Sequence, residues 1–282
     1  MNLIQKTTPM ATMGSCFAVA LTRRFEKQGY NLTITSRMHG GRLNWYNTYS
    51  LRYEFEKAFA GMVADPEDIW DCRRGNGGWW FQDPLRRLVR RKTKPHLAKY
   101  VRGLDTQLAN ALKTSDVFLL PLGLSEAWKL KKSGLIACHH PLYGYTSRKG
   151  TMKAKSFSGR KSTEFYDMTT QENIDNLDRI ATLIRDHRPG AHLILTVSPV
   201  PLQKTFTKLP LAEANAISKQ KLVDAVPVVL ERFPETVHYF DSYEYCRSLP
   251  KEKCYAKDGR HIKPKVVDKN IKRFEEMFVG LD

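Results

Sequence analysis

The sequence is poor in cysteine, contains no long apolar run and carries few acidic residues for its size. The five cysteines are widely spaced and include no C-x-x-C pair: Cys16, Cys72, Cys138, Cys246 and Cys254. This spacing argues against a disulfide framework and a zinc ribbon, and it indicates free thiols in a reducing compartment. No apolar stretch approaches the ~20 residues that a transmembrane helix needs. Lys6 is the only positively charged side chain before residues 11–21, and polar residues interrupt this apolar stretch. We therefore predict that it is not a signal peptide and that the protein is cytoplasmic.

The shortage of acidic residues leaves a strongly basic chain. Lys and Arg number 46 against 29 Asp and Glu, which gives a formal net charge of +17 over 282 residues. Residues 86–102 hold eight basic side chains and no acidic one, and Trp79, Trp80 and Phe81 precede them. Such a concentration of positive charge attracts anionic partners. The alternative is that these residues form a solvated face that keeps the protein soluble. The candidate anion-binding residues are Arg86, Arg87, Arg90 and Arg91.

Hydrophobic periodicity alternates between strand and helix along most of the chain. Strands are predicted at residues 9–13, 31–35, 116–122, 134–138, 192–197 and 237–240. Helices are predicted at residues 18–28, 51–62, 169–188, 211–232 with an interruption or kink at Pro227, and 265–278. We expect one domain over residues 1–282, a three-layer α/β/α sandwich with a mainly parallel sheet. Residues 65–102 are interpreted as a basic, Trp-rich insertion with helix at residues 85–91, and residues 145–163 as a basic mobile loop.

Gly14, Ser15, Cys16, Phe17 and Ala18 stand where the first strand should pass into the first helix. A side chain on such a turn lies at the carboxyl edge of the sheet, where the free N–H groups of the helix stabilise negative charge. A thiol there loses its proton more easily and becomes nucleophilic. The alternative is that Cys16 is a small buried apolar side chain.

A nucleophile needs a base, and Asp258 with His261 offers one just before the final helix. A carboxylate three residues from a histidine can fix the imidazole tautomer while the other ring nitrogen faces the nucleophile. The spacing alone is common, but together with a nucleophile after the first strand and a position near the last helix it is much stronger evidence.

These residues and several further blocks resemble the GSCFA family, which belongs to the SGNH (GDSL-like) hydrolase superfamily. The resemblance covers most of the chain outside the 65–102 insertion and the loop after Tyr145. Its blocks are Gly14 to Ala18, Asn44 to Ser50, Leu122 to Trp128, Cys138-His139, Thr196 to Val200, Ser218-Lys219, Tyr239 to Glu244 and Asp258 to His261.

The resemblance implies an SGNH-like, flavodoxin-like fold and assigns roles to particular residues. The superfamily pattern Gly-Asp-Ser, laid over Gly14-Ser15-Cys16, puts Cys16 in the nucleophile's place, and a shift by one residue would make Ser15 the nucleophile. Asn47 is the candidate for the oxyanion donor of the second block, and the third block is Gly123-Leu124-Ser125-Glu126, in which Ser125 stands in the place of the donor Asn. His139 has either a structural role or one facing Cys16 or a substrate phosphate. A zinc site from Cys138, His139, His140 and His39 lacks a recognisable ligand spacing, so no metal is expected.

The sequence thus predicts an esterase or O-acyltransferase that works through a Cys16 acyl-enzyme on a carbohydrate or polysaccharide. No tightly bound cofactor is expected, and acyl-coenzyme A is the candidate cosubstrate, because a thiolate exchanges readily with a thioester. The alternative is a non-catalytic binding protein for an acidic polysaccharide, RNA or single-stranded DNA. No RRM, KH or helix-turn-helix signature is present, which argues against nucleic acid.

Overall fold

The computed structural model describes residues 3–35, 38–41, 43–64, 68–74, 79–141 and 154–280. Its strands are β1 (Met10–Thr12), β2 (Trp70–Arg74), β3 (Trp79–Gln82), β4 (Arg90–Arg91), β5 (Val117–Leu122), β6 (Glu126–Leu130), β7 (Ile136–Ala137), β8 (Ala154–Phe157), β9 (Thr163–Asp167), β10 (His192–Val197) and β11 (Val237–Tyr239). Its α-helices are α1 (Cys16–Lys27), α2 (Thr48–Phe59), α3 (Lys94–Thr114), α4 (Gly159–Ser162), α5 (Thr170–His187), α6 (Leu211–Arg232), α7 (Ser242–Ser248), α8 (Lys251–Cys254) and α9 (Pro264–Phe278).

A parallel sheet with the order β1-β5-β10-β11 forms the centre of the described structure. Strand β5 is buried along its whole length, as its apolar run predicts for a strand covered on both faces. Pro121 lies beyond Leu119, the last residue of β5 that pairs with β1, so its missing N–H interrupts no pairing with β1. Parallel pairing brings the carboxyl ends of all these strands to one edge.

Helices cover both faces of this sheet. Helices α2, α3, α5 and α6 pack on one face, where Phe55, Leu108, Leu177 and Leu222 contribute to the larger apolar core. Helices α1 and α9 pack on the other face, where Phe25 and Phe274 meet edge to face. The predicted three-layer α/β/α sandwich with a parallel sheet is therefore confirmed.

Several elements match their sequence signals closely. Thr169 caps α5 in a reciprocal box with Glu172, as the T-x-x-E spacing predicts. Strand β10 covers the six predicted residues. Helix α6 continues through Pro227 as one element, so the predicted interruption is wrong.

The 65–102 insertion differs from its prediction. Strands β2, β3 and β4 form an antiparallel sheet that β8 completes, in the order β4-β3-β2-β8. Residues 85–89 form turns rather than the predicted helix, with Leu88 in the left-handed region at φ 56°. A helix does begin inside the segment, since α3 starts at Lys94, where Thr93 caps it.

Two further expectations are corrected. Residues 31–35 form no strand and contribute only a bridge between Leu32 and Met10, at the edge of the sheet next to β1. Of the predicted loop, residues 145–153 lie outside the described residues, and the part that follows forms β8 and α4 rather than a loop.

A third sheet has the order β7-β6-β9 and includes the predicted short strand near residue 136. In the described part of the chain, no helix combines the length and apolarity needed to cross a bilayer.

Candidate functional site

The turn between β1 and α1 is held tightly against the end of β5. A Cβ on Gly14 would lie 2.6 Å from the carbonyl oxygen of Pro121, so any larger residue would push the turn away. The carbonyl of Gly14 also accepts a hydrogen bond from the N–H of Trp45 at 2.9 Å. The strand–turn–helix arrangement predicted for this motif is therefore present, at the carboxyl edge of the sheet.

Cys16 occupies the first position of α1 and is partly exposed. The preceding residue, Ser15, has the N-cap position, but its side chain makes no capping hydrogen bond, and the first turn of α1 contains no acidic residue. The positive end of the helix dipole is thus not neutralised by the helix's own side chains. Ser15 itself is buried, so the more accessible nucleophile of the pair is Cys16.

Asp258 and His261 form the predicted pair in the loop between α8 and α9. The Nδ1 of His261 bonds to Oδ2 of Asp258, and the backbone N–H groups of Arg260 and His261 donate to Oδ1, each at 3.0 Å. The hydrogen bond from His261 is the main reason that the pKa of Asp258 lies below its ordinary value. The carboxylate therefore fixes one ring nitrogen and leaves Nε2 for another partner.

The position of this loop places the pair on the same edge as Cys16. The hydroxyl of Tyr255 donates to the carbonyl of Pro199 at 3.1 Å, just beyond the end of β10. Ile262, next to His261, packs on the apolar cluster against which Cys16 also packs. The His261 side chain is 60 % exposed and, among the described residues, hydrogen-bonds only to Asp258. The link from His261 to Cys16 is thus not made in this structure.

The two side chains expected as oxyanion donors are bound to the scaffold. Asn47 caps α2 by accepting from the N–H of Ser50 at 2.8 Å, and its amide donates to the carbonyl of Ala137 at 2.9 Å. Ser125 donates its hydroxyl to the carbonyl of Ser218 at 3.0 Å. Both residues are buried. Their contacts hold the loops around the sheet edge, which leaves backbone N–H groups as the donors available for an oxyanion.

Gly123 and Glu126 lie at the same edge and also serve as connections. A Cβ on Gly123 would lie 2.5 Å from the carbonyl oxygen of Tyr46, so glycine allows two backbones to meet. Glu126 accepts hydrogen bonds from the hydroxyl of Thr205 at 2.6 Å and the N–H of Phe206 at 3.0 Å. Glu126 thus anchors the loop that precedes α6.

His139 lies among the antiparallel strands and has partners for both ring nitrogens. Nδ1 bonds to the carbonyl of His140 at 2.7 Å, Nε2 bonds to the amide of Gln82 at 3.1 Å, and Trp70 packs edge-on against the ring. Burial lowers the pKa of His139 to about 4, so the neutral form persists at physiological pH. These contacts support a structural role. Among the described residues, no group of three or more His, Cys, Asp or Glu side chains is placed to hold a metal ion.

Arg86 is not an anion-binding residue of the surface, and this prediction is wrong. It is fully buried, and its guanidinium donates to both carboxylate oxygens of Glu54 at 2.7 and 2.5 Å and to Asp105 at 2.6 Å. Burial alone would lower the pKa of Arg86, but these carboxylates raise it. Its charge is therefore compensated inside the protein.

The other basic candidates of this segment, Arg87, Arg90 and Arg91, are partly exposed. The guanidinium of Arg91 lies 3.4 Å from the centroid of the Tyr100 ring, and that of Arg90 lies 5.7 Å from the centroid of Trp80. They remain predicted anion-binding residues, on a surface smaller than the sequence suggested.

From the sequence, Lys219 of α6 is named only as part of the Ser218-Lys219 block and has no assigned role. Lys219 is fully buried, and its Nζ donates to the carbonyl of Gly123 at 2.7 Å. Leu222 and Val226 follow at helical spacing and are buried too. A lysine in register with an apolar helix face was the available signal.

The family comparison covers every part of this site. The model of the GSCFA family matches residues 9–274, and the chain belongs to that family. The matched range runs from β1 into α9 and includes Cys16, Lys219 and His261. Among curated proteins, no significant match to the chain was found.

Proposed function

We propose that the protein is an acyl-transfer enzyme in which Cys16 forms the acyl-enzyme and His261, held by Asp258, exchanges the protons. Membership of the SGNH hydrolase superfamily is part of this proposal. The observation that supports it most directly is the position of Cys16: a partly exposed thiol at the first residue of an uncapped helix, on the carboxyl edge of a parallel sheet. Nucleophiles act from this position because helix N–H groups favour the thiolate.

The reaction proceeds in two halves. His261 takes the proton of Cys16, the thiolate attacks the carbonyl carbon of an ester or thioester, and the carbonyl electrons move to oxygen. The oxyanion is held by backbone N–H groups of the first turn of α1, since the Asn47 and Ser125 side chains are bound to the scaffold. The leaving group departs with the proton from His261. In the second half, His261 deprotonates a hydroxyl or water, which takes the acyl group and restores the thiol.

A carbohydrate or polysaccharide hydroxyl is the proposed acceptor and acyl-coenzyme A the proposed donor. The net charge of +17 draws anionic donors toward the molecule. A thiolate also exchanges with a thioester at little cost, because the attacking and leaving sulfurs are of similar basicity. A reactive thiol suits a reducing compartment, so the cytoplasm is the proposed location.

The alternative function, a non-catalytic protein that binds polyanions, has less support from the structure than from the sequence. The residue at the start of the basic segment, Arg86, is buried against Glu54 and Asp105 and cannot contact a ligand. The position of Cys16 and the formed Asp258–His261 pair have no role in such a protein.

Intact-mass spectrometry tests the proposal. Wild type, Cys16→Ala and Ser15→Ala are incubated with acetyl-coenzyme A and with p-nitrophenyl acetate. We expect one acetyl group on wild type and Ser15→Ala and none on Cys16→Ala, with slower formation in His261→Ala. Cys138→Ala is the matched control, because Cys138 is buried and donates to the carbonyl of Asn44. Acetylation that survives in Cys16→Ala but is lost in Ser15→Ala would transfer the role to Ser15, and no adduct from several donors would refute the proposal.

A further inference from the structure

Lys219 is a buried lysine that has no carboxylate partner in the described structure. Its side chain is fully buried, and its hydrogen bond to the Gly123 carbonyl satisfies one of three ammonium protons. Burying an ammonium group without a counter-ion is costly, which is why buried charges are normally paired. This protein follows that rule elsewhere, since buried Arg86 has Glu54 and Asp105.

Two backbone contacts at the end of β5 bring Lys219 toward the turn that carries Cys16. Nζ of Lys219 donates to the carbonyl of Gly123, the residue after β5. Pro121 of the same strand has its carbonyl against Gly14, two residues before Cys16. Burial lowers the pKa of Lys219 to about 7, and a negative charge on Cys16 would raise it.

We infer that the Lys219 ammonium is the counter-ion of the Cys16 thiolate. The inference rests on the proposed role of Cys16 as nucleophile and adds to it a cation that favours the thiolate. Helix α1 presents Cys16 from one face of the sheet, and α6 brings Lys219 from the other. Lys219 influences the reaction only through Cys16, by stabilising the negative charge of the thiolate. It is therefore a positioning residue.

The pairing makes the charge of the site depend on the state of the sulfur. Loss of the thiol proton to His261 creates a negative sulfur that stabilises the ammonium of Lys219, and the ammonium stabilises the thiolate by the same amount. When the sulfur bonds to the acyl carbon, it becomes neutral and Lys219 loses its counter-ion. The buried cation then favours the step that expels the thiolate again, which returns the acyl group to an acceptor.

The rate of alkylation of Cys16 by iodoacetamide, measured against pH, tests this pair without any substrate. In Lys219→Met, the rate at pH 7 is expected to fall roughly tenfold, because the thiolate loses the opposite charge that favours it. The rates should converge near pH 10, where the thiol is ionised in both proteins. A purely structural role for Lys219 would change the rate by a similar factor at every pH.

Controls keep the outcomes separate. Lys221→Met removes a lysine two residues along α6 that pairs with Asp167 at the surface, and its pH profile should match that of wild type. Cys16→Ala gives the background from other thiols. An unchanged profile in Lys219→Met would overturn the pair even if the acyl adduct forms. A shifted profile with no acyl adduct would support the pair and refute the acyl-transfer proposal.

A second measurement applies if Lys219→Met fails to fold. Lysine labelled with ¹³C at Cε is titrated by NMR in wild type and in Cys16→Ala. We expect the lysine with the lowest titration midpoint to titrate at higher pH in wild type than in Cys16→Ala, because only wild type has the thiolate. Equal midpoints would overturn the inference.

Discussion

Gly14 sets the distance between the turn that carries Cys16 and the strand beside it. Gly14→Ala would place a Cβ 2.6 Å from the backbone oxygen of Pro121, and backbone cannot move aside as a flexible side chain can. We expect a loss of about 1–3 kcal/mol in the free energy of unfolding, measured by urea denaturation, as is usual for overpacking.

The matched control is Gly103→Ala in the interior of α3, where a Cβ would meet no atom within 4 Å. Alanine there should raise the free energy of unfolding by up to about 1 kcal/mol, because it is the better helix former. Equal effects of the two substitutions would contradict the contact with Pro121.

At this scale, the sequence identified residues whose partners lie nearby in the chain. Asp258 and His261 are three residues apart, so a local spacing together with their position before the last helix was enough to predict the pair. Asn47 and Ser125 were interpreted as oxyanion donors from the family resemblance. Their partners, Ala137 and Ser218, are about 90 residues away, and the sequence gives no sign of these contacts. The carboxylate partners of Arg86 also lie outside the run of arginines. Such a run predicts a charged surface, and the sequence does not show that one of its members pairs with carboxylates inside the protein.

Among the elements, α5 depends on a local cap that the sequence specifies completely. The hydroxyl of Thr169 accepts from the N–H of Glu172, and the Glu172 carboxylate accepts from the N–H of Thr169. Thr169→Ala should lower the free energy of unfolding by about 0.5–2 kcal/mol, measured by chemical denaturation.

Thr106→Ala is the comparison for this cap. Thr106 is exposed in the middle of α3 and donates only to the carbonyl of Arg102, within its own helix. Its loss should change stability by less than about 0.5 kcal/mol. A Thr169→Ala variant as stable as Thr106→Ala would show that tertiary packing alone holds the start of α5.

The buried parallel strands and most of the long helices could be predicted, whereas the antiparallel sheet of the insertion and helix α3 could not, for physical reasons. Strands β5 and β10 are continuous apolar runs, because helices cover them on both faces. Strand β2 pairs with β8, about 80 residues further along the chain, so its boundaries depend on a partner that local periodicity does not reveal. The leucines of α3 recur at helical spacing. The first two turns of this helix lie within the basic run, however, and their charged side chains indicate an exposed surface rather than a packed helix.

For the whole molecule, the fold brings together residues that are far apart in the sequence. Parallel pairing of β1 with β5 and of β5 with β10 sets Cys16, Gly123 and the segment after Val197 on one edge. Long connections then return α6 and the Asp258–His261 loop to that edge. Open parallel sheets place ligand sites there because the loops that follow the strands meet at that edge.

The pH dependence of global stability should contain a contribution from Lys219. Its pKa is about 7 in the folded protein, below the ~10.4 of an unfolded lysine, so between these values the unfolded chain binds more protons. Stability must therefore rise with pH across that window, by an amount on the order of 4 kcal/mol from this group. Urea midpoints at pH 7 to 10 should increase more steeply for wild type than for Lys219→Met.

Comparing the two proteins cancels the groups that do not interact with Lys219, and making both measurements in a Cys16→Ala background removes the thiol that does. Lys221→Met again serves as the surface control. Parallel curves for wild type and Lys219→Met would show that Lys219 has the same proton affinity in both states.

Lys219 also has a consequence for how this protein would respond to selection. A lineage selected for thermal resistance alone should replace Lys219 with an apolar residue, since such a residue fills the same space without a buried charge. If Lys219 is the counter-ion of the Cys16 thiolate, lysine at this position favours reactivity at the sheet edge at the expense of thermal stability. In an engineered variant, an apolar residue at position 219 would therefore raise thermal stability and lower activity.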